Sequence, residues 1–308
     1  MSAEQQVMVV GQIARDLVLR VENVPEAGSA GAVTDRLEML GGKGANQAVG
    51  LAQRGLRPAL LGAVGDDPAA DWLLGQAAAD GIDTKWVARR RGAESGLIVS
   101  VVGPDGWRYL ESLPTQVLVS PGDVALAEPA IAAAGTIVIQ LQQPGPAALA
   151  AAETGRRCGA RVVLDGAPEP WFRRPLLRAA DVIRADAREA ELLTGRPVRG
   201  GADAVAAGRE LLRQGPSLAA LAAGPDGNAI VWPGGSVVLP LTGGPEVDTT
   251  GAGDAFVAAL VAALARGDGA ADAGRQAVAA AGQAVAHLGG RPRGPGSRGA
   301  PGPARGQE

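Results

Sequence analysis

Short apolar, β-branched runs alternate with longer alanine-rich stretches through most of this chain. The runs are Val7 to Gly11, Ala59 to Val64, Thr136 to Gln140, Arg161 to Asp165, Asp181 to Arg184 and Ser217 to Ala222. Each has the length of a strand, and the stretches between them are long enough for helices. That alternation predicts a parallel sheet wrapped by helices. Segments of another character interrupt it: Leu17 to Val21 with Ala32 to Leu40, then Gly96 to Val102 with Trp107 to Leu113. Gly103-Pro104-Asp105-Gly106 joins the last two and predicts a hairpin. These four pieces, expected to be antiparallel and to fall within about 14–40 and 94–114, read as a lid. Near the other end, Asn228 to Trp232 and Ser236 to Leu239 flank Pro233-Gly234-Gly235, a further hairpin expected on the edge of the main sheet.

Composition narrows the partners. The 308 residues, 46% of them hydrophobic, suffice for one large α/β domain or two small ones. Net charge is −3, and the arginines are scattered among acids apart from Arg89-Arg90-Arg91, so no basic face argues for nucleic acid and a small-molecule partner is expected. The single Cys158 excludes an internal disulfide and a cysteine metal cluster, fits a reducing compartment and reads by default as a small buried residue. Met1 to Gln6 lack the basic and apolar regions of a signal peptide, and apolar stretches such as Ala255 to Ala265 fall short of a membrane span. The expected location is the cytoplasm, with no membrane partner. Residues 295–308, within an end rich in Gly, Pro and Arg, read as a disordered tail.

The chemistry concentrates in Asp248-Thr249-Thr250-Gly251-Ala252-Gly253-Asp254-Ala255-Phe256, two glycines and a carboxylate where a loop becomes an apolar helix. The first turn of a helix leaves backbone N–H groups without intrahelical partners, and these attract phosphate oxygens. A carboxylate there would repel a phosphate that was merely bound, but it suits removal of a proton from a hydroxyl attacking phosphorus. The plainer alternative is an Asp/Gly helix cap. The pattern Gly-x-Gly-x-x-Gly breaks at Phe256, and no Gly-x-x-x-x-Gly-Lys-Ser/Thr string occurs, which argues against a Rossmann dehydrogenase or a P-loop enzyme. A second cluster, Gly41-Gly42-Lys43-Gly44-Ala45-Asn46-Gln47-Ala48, also precedes a helical pattern. Of 29 basic residues only Lys43 and Lys85 are lysines, and a compact ammonium suits a tight glycine loop better than a bulky guanidinium. Asp186 and Glu189 lie three apart at the start of a predicted helix. That spacing suits either a hydrated Mg²⁺ or simply a charged first turn favoured by the helix dipole.

These clusters do not stand alone. Val7-Met8-Val9-Val10-Gly11 with Asp16, Gly62-Ala63-Val64-Gly65-Asp66-Asp67, Asp186 to Gly195, and Ala223-Gly224-Pro225-Asp226-Gly227 join them in order over about 250 residues. Together they resemble the ribokinase-like sugar kinases, the PfkB carbohydrate kinase family, ribokinases most of all. The resemblance implies a three-layer α/β sandwich with a central, mostly parallel sheet plus a small β-sheet lid that often supplies a homodimer interface. Residues 1–294 would be the kinase domain. It implies transfer of the γ-phosphoryl group of ATP to a sugar hydroxyl, of ribose or a related sugar. The alternatives are a nucleoside or sugar-phosphate kinase of the same fold, or a sensor without turnover. In that resemblance Asp254 is the general base, Gly251 belongs to the same catalytic turn, and the N–H groups of Ala252, Gly253 and Asp254 form the anion hole. Asp16, Gly42, Lys43 and Asn46 bind the sugar, with Gln142 where the family carries Glu and Ala14 where it carries a sugar-binding Asn. Asp186, in place of the usual Asn, and Glu189 hold Mg²⁺ through water, while Gly224 and Gly227 contact adenosine, with Ala222 replacing a polar residue. Asp248, Thr250, Ala284, His287 and Gly289 surround a monovalent-cation site suited to K⁺, where Arg293 replaces a common serine ligand.

Overall fold

Strands with successive apolar residues in their interior, rather than alternate ones, must be covered on both faces. The computed structural model describes residues 6–104, 106–243, 250–286 and 289–292, and its main sheet is built from such strands. In chain order the first elements are β1 (Gln6–Val10), β2 (Ala14–Val21), β3 (Val33–Gly41), α1 (Lys43–Ala52), β4 (Arg57–Leu61) and β5 (Ala63–Gly65). Next come α2 (Pro68–Ala79), β6 (Ala88–Arg90), β7 (Gly96–Gly103), β8 (Gly106–Ser112), α3 (Pro121–Ala133), β9 (Thr136–Gln140) and α4 (Gly145–Arg157). They are followed by β10 (Arg161–Asp165), α5 (Pro170–Ala179), β11 (Val182–Ala185), α6 (Ala187–Thr194), α7 (Gly201–Leu212) and β12 (Leu218–Ala222). The last are β13 (Asn228–Trp232), β14 (Gly235–Leu239), α8 (Ala252–Ala265) and α9 (Ala270–Ala284).

The main sheet runs β14-β13-β12-β11-β10-β9-β1-β4. Its strands are parallel from β12 to β4, and the β13–β14 hairpin adds an antiparallel edge with Trp232 opposite Gly235. Alternate residues of one strand enter different cores. Met8 and Val10 pack with α3, α4, α5, α6 and α7, whereas Val7 and Val9 pack with α1, α2, α8 and α9. The result is the three-layer α/β sandwich that the sequence implied. Among the described residues, no helix is long and apolar enough to cross a membrane.

A second sheet has the order β3-β2-β7-β8. Its two hairpins occupy the expected segments, but the four strands are not antiparallel throughout. β2 and β7 run parallel, with Ala14 opposite Gly96, because the chain passes through α1, β4, β5, α2 and β6 before the second hairpin starts from the same end. The run Ala59 to Val64 is likewise two strands. It breaks at Gly62, where a side chain would meet Gly11 and Ile13, and β5 leaves the main sheet to pair with β6. Cys158 is half-exposed at the C-cap of α4 rather than buried. The proposed tail 295–308 and Asp105, Asp248, His287 and Arg293 lie outside the described residues.

The early glycine cluster owes part of its composition to packing. A Cβ on Gly44 would lie 2.6 Å from the carbonyl carbon of Gly11, and one on Gly11 would lie 2.7 Å from the Gly44 Cα. Only this bare approach lets the start of α1 sit on the end of β1. Gly44→Val is therefore expected to cost about 3 kcal/mol, at the upper end of overpacking because the obstacle is backbone. Gly75 lies inside α2, and an added Cβ there would meet nothing within 4 Å. Gly75→Ala should accordingly stabilise by up to ~1 kcal/mol. Urea denaturation of both variants checks the pair, and equal effects would refute the packing argument.

Candidate active site

The two glycine clusters meet at the C-terminal ends of the parallel strands. Gly251 caps α8 with φ 80 and ψ −5, a left-handed conformation that glycine adopts without strain. Ala252, Gly253 and Asp254 then form the first turn. Asp254 does not serve as a cap: its carboxylate leaves its own helix and is bound by α1. Asn46 Nδ2 donates to Oδ2 at 3.2 Å and Gln47 Nε2 donates to Oδ1 at 3.1 Å. The Gln47 amide also donates to Asp165 Oδ2 at 2.7 Å, and Arg184 Nη1 donates to Asp165 Oδ1 at 3.0 Å. A continuous chain thus runs from Arg184 on β11 through Asp165 on β10 and Gln47 on α1 to Asp254 on α8.

Asp254 is only 5% exposed. Burial, then the neighbouring Asp165 charge, push its carboxyl up to about 7, against the pull of Lys43 and the two amide donors. Such a group holds or releases a proton near neutral pH. Asn46 keeps a second buried amide atom, Oδ1, with no hydrogen-bond partner among the described residues.

A cavity of about 390 Å³ opens in front of Asp254. Gly42, Lys43 and Asn46 line it from α1 and its cap, and Thr250, Gly251, Gly253 and Asp254 from α8 and the residues before it. Gln142, Asp165, Arg184 and Asp186 line it from the ends of the main sheet, and Ile98, Trp107, Tyr109 and Glu111 from the small sheet. Asp16 is buried against Gly41, where a side chain would overlap its carboxylate. Gly224 and Gly227 shape the turn between β12 and β13, with φ 57 and 99, and neither lines this cavity. Of the cation-site candidates, Thr250 is on the cavity wall, Ala284 ends α9, and Gly289 precedes Gly290, which packs on Gly251. Asp248 and His287 are outside the described residues.

Asp186 and Glu189 form a capping box at the start of α6. Asp186 Oδ1 accepts from the Glu189 N–H at 2.7 Å, and Glu189 Oε2 accepts from the Asp186 N–H at 2.8 Å. The charged-first-turn alternative is therefore realised, and each carboxylate keeps one oxygen outside the box. Burial and then the Asp165 charge raise the Glu189 carboxyl, with Arg184 opposing. Among the described residues no three His, Cys, Asp or Glu side chains are grouped to hold a metal directly. Oxygen donors in a site rich in carboxylates fit a hydrated Mg²⁺ held through its waters.

The residues missed by the sequence reading are Gln12, Gln47, Asp165, Arg184 and the four from the small sheet. Two signals were present. Polar residues closing apolar parallel strands, as Asp165 and Arg184 do, sit where ligands bind in open α/β sheets. Trp107, Tyr109 and Glu111 alternate along one strand and so share one face.

The sequence matches the family described as pfkB family carbohydrate kinase over residues 4–294. It is 29% identical to the ribokinase of Staphylococcus aureus strain COL over 260 residues, 84% of this chain and 86% of that protein. It is 28% identical to the bifunctional ribokinase/ribose-5-phosphate isomerase A of Fructilactobacillus sanfranciscensis over 84% of this chain, but spans only 48% of that protein. The solved structure of Arabidopsis thaliana ribokinase complexed with ribose and ATP superposes with a TM-score of 0.78 at 24% identity, covering 92% of this chain and 93% of that one. That likeness is one of fold.

The raised Asp254 carboxyl has a consequence for stability. Its folded value, about 7, lies above the ordinary 3.8, so the native state holds the proton more tightly than the unfolded chain. Ionisation costs nothing below about pH 4, costs progressively more between about pH 4 and 7, and reaches its full value, on the order of 4 kcal/mol, above that range. Asp254→Asn removes this titration. Its stabilisation should be about 2–3 kcal/mol larger at pH 8 than at pH 5 in urea unfolding, and an equal effect at both would place Asp254 in the ordinary carboxyl range.

Proposed function

This chain belongs to the pfkB family of carbohydrate kinases, and from that premise we propose that it transfers the γ-phosphoryl group of ATP to a hydroxyl of ribose or a closely related sugar. Membership makes it a phosphotransferase with a hydroxyl acceptor. The observation that carries the finer reading is the placement of Asp254, a buried carboxyl pushed up to about 7, on the first turn of α8 in one cavity with Lys43 and Asn46. A base of that proton affinity is half ionised near neutral pH and still accepts a proton readily.

In the proposed reaction the acceptor hydroxyl oxygen forms a bond to the γ-phosphorus and the bond to the β–γ bridging oxygen breaks. The hydroxyl proton passes to Asp254, and ADP leaves with the electron pair. The N–H groups of Ala252, Gly253 and Asp254 face the phosphoryl oxygens, and a donor so placed is worth roughly 3 kcal/mol. Asn46 couples acceptor to base: Nδ2 holds Asp254 while Oδ1 is left to accept from a sugar hydroxyl. Asp16, Gly42, Lys43 and Gln142 complete the sugar site, and the Gly224–Gly227 turn takes the adenosine. A bound Mg²⁺, held through water by Asp186 and Glu189, would neutralise phosphate charge. Catalysis then consists mainly of positioning and charge neutralisation.

A second reading has its own observation. Trp107 and Tyr109 meet edge-to-face, with ring centroids 6.0 Å apart and planes at 79°, and both line the cavity together with Glu111. A bare pentose offers these rings no aromatic face, whereas a nucleoside offers a base to stack on them. Ala14, which lacks the amide the family carries there, and Gln142, which lacks the charge of the family's Glu, weaken the claim of ribose itself. A sensor without turnover is the third reading, and the retained Asp254 opposes it.

The test is ADP release from ATP and Mg²⁺ with a panel of pentoses, hexoses, nucleosides and sugar phosphates. Release should be greatest with a pentose. Preference for nucleosides, lost in Trp107→Ala, would establish the second reading, and silence across the panel with ligand binding retained would establish the third. Asp254→Asn should lower kcat by about 10² or more. The wild-type kcat/KM should fall about tenfold per unit below roughly pH 7, since the base must be ionised. Normal turnover of Asp254→Asn would remove Asp254 as the base.

A further inference from the structure

Arg184 is a cation in a place that ordinarily disfavours one. The start of a helix carries partial positive charge and favours acidic side chains, yet the Arg184 guanidinium lies against the first turn of α8. A Cβ on Gly253 would be 2.8 Å from Arg184 Nη2 and 2.9 Å from Nη1. The Arg184 guanidinium carbon is 5.9 Å from the centroid of the Phe256 ring, one turn further along α8. Asp165 holds Nη1, and among the described residues no acceptor is bonded to Nη2. The pair is well enclosed, with side-chain exposures of 16% for Arg184 and 3% for Asp165, and both line the cavity that contains Asp254. Two positive features, the helix start and the guanidinium edge, thus converge on one point where no acceptor among the described residues is bonded to the free edge.

We propose that Arg184 is a further catalytic residue of the phosphoryl transfer: Asp165 fixes one edge of its guanidinium, and the other edge pairs with a non-bridging oxygen of the phosphoryl group as it passes from ADP to the acceptor. The inference rests on the kinase reading above. The covalent changes are those already given, with the acceptor proton passing to Asp254; Arg184 exchanges no proton and supplies charge where the phosphoryl oxygens gather it. A planar fork suits this work, since one edge can be held by a carboxylate while the other meets an oxyanion. Asp165 is the positioning residue. It carries Arg184 on Oδ1 and Gln47 on Oδ2, and Gln47 in turn holds Asp254, so cation and base are set by a common carboxylate.

Two measurements on purified full-length protein test the assignment. In steady-state assays with the best acceptor of the panel, Arg184→Met should lower kcat by about 10²- to 10³-fold while the acceptor KM stays within about threefold, and Arg184→Lys, which keeps charge without the fork, should fall between. In calorimetric titrations with Mg²⁺, Arg184→Met should bind ADP like the wild type but bind ADP with aluminium fluoride, a mimic of the transferring phosphoryl, about 10² times more weakly. A merely structural role would lower the melting temperature and leave the ratio of the two affinities unchanged. Removing one partner of an enclosed pair can unfold a protein, so Arg184→Met with Asp165→Asn, compared with Asp165→Asn alone, replaces the single variant if that fails to fold. Unchanged kcat in whichever variant folds, or fluoride complexes as tight as in the reference, would overturn the proposal. A wild type that turns over no acceptor would sink the kinase reading by itself. The fluoride titration would still decide Arg184, and a wild type binding the fluoride complex no better than ADP alone would count against it.

Discussion

Everything in the site depends on how closely α1 can approach α8. The two helices start from different ends of the sequence, and the amides of Asn46 and Gln47 reach the Asp254 carboxylate only because small residues line the contact. A Cβ on Gly50 would lie 2.7 Å from the Ala258 Cβ. α8 is buried on nearly all sides, as a helix apolar all round must be. A larger residue at this contact would push the helices apart and lengthen the 3.1 and 3.2 Å bonds that hold Asp254.

That close approach creates an electrostatic problem that the neighbouring strands solve. Asp165 and Asp254 are both buried and share the single Gln47 amide nitrogen. The Asp165 charge adds to burial in raising the proton affinity of Asp254. Burial by itself would make the Arg184 cation less stable, but the charges of Asp165 and Glu189 more than offset it, and the guanidinium is held charged. Arg184 is bonded to Asp165, whereas Asp254 has no bonded cation among the described residues and becomes the group whose proton is exchangeable near neutrality.

The fold was legible because each layer repeats one local rule. Runs with wholly apolar interiors such as Thr136–Gln140 read directly as covered strands, and the turn glycines located the β7–β8 and β13–β14 hairpins. The parallel pairing of β2 with β7 was not legible, since strand direction within a sheet depends on where an intervening segment returns the chain. Lys43, Asn46, Gly251, Gly253 and Asp254, read from contiguous motifs, line one cavity. Asp165 and Arg184 escaped notice because they are single residues on different strands, brought within 3.0 Å only by the register of β10 with β11. Composition carries no trace of that register, and the place of each near a strand end marks only a site where ligands bind.

The departure from the family pattern at Asp186 is best understood through the same charges. An N-cap accepts either Asn or Asp with little difference in geometry, so the capping box with Glu189 would form in both cases. What changes is the charge facing the cavity. Asp165, Asp186, Glu189 and Asp254 gather around Arg184 and Lys43, and burial already makes Glu189 reluctant to ionise. An added carboxylate is costly there on its own terms. In the proposed reaction that cost would fall on entry of a hydrated divalent cation with the phosphates, because the cation would balance the excess negative charge and the arginine would keep the phosphoryl oxygens from meeting bare carboxylates. In the proposed reaction Asp186 and Arg184 would be two halves of one compensation, the first helping to hold the metal and the second admitting the anion beside it.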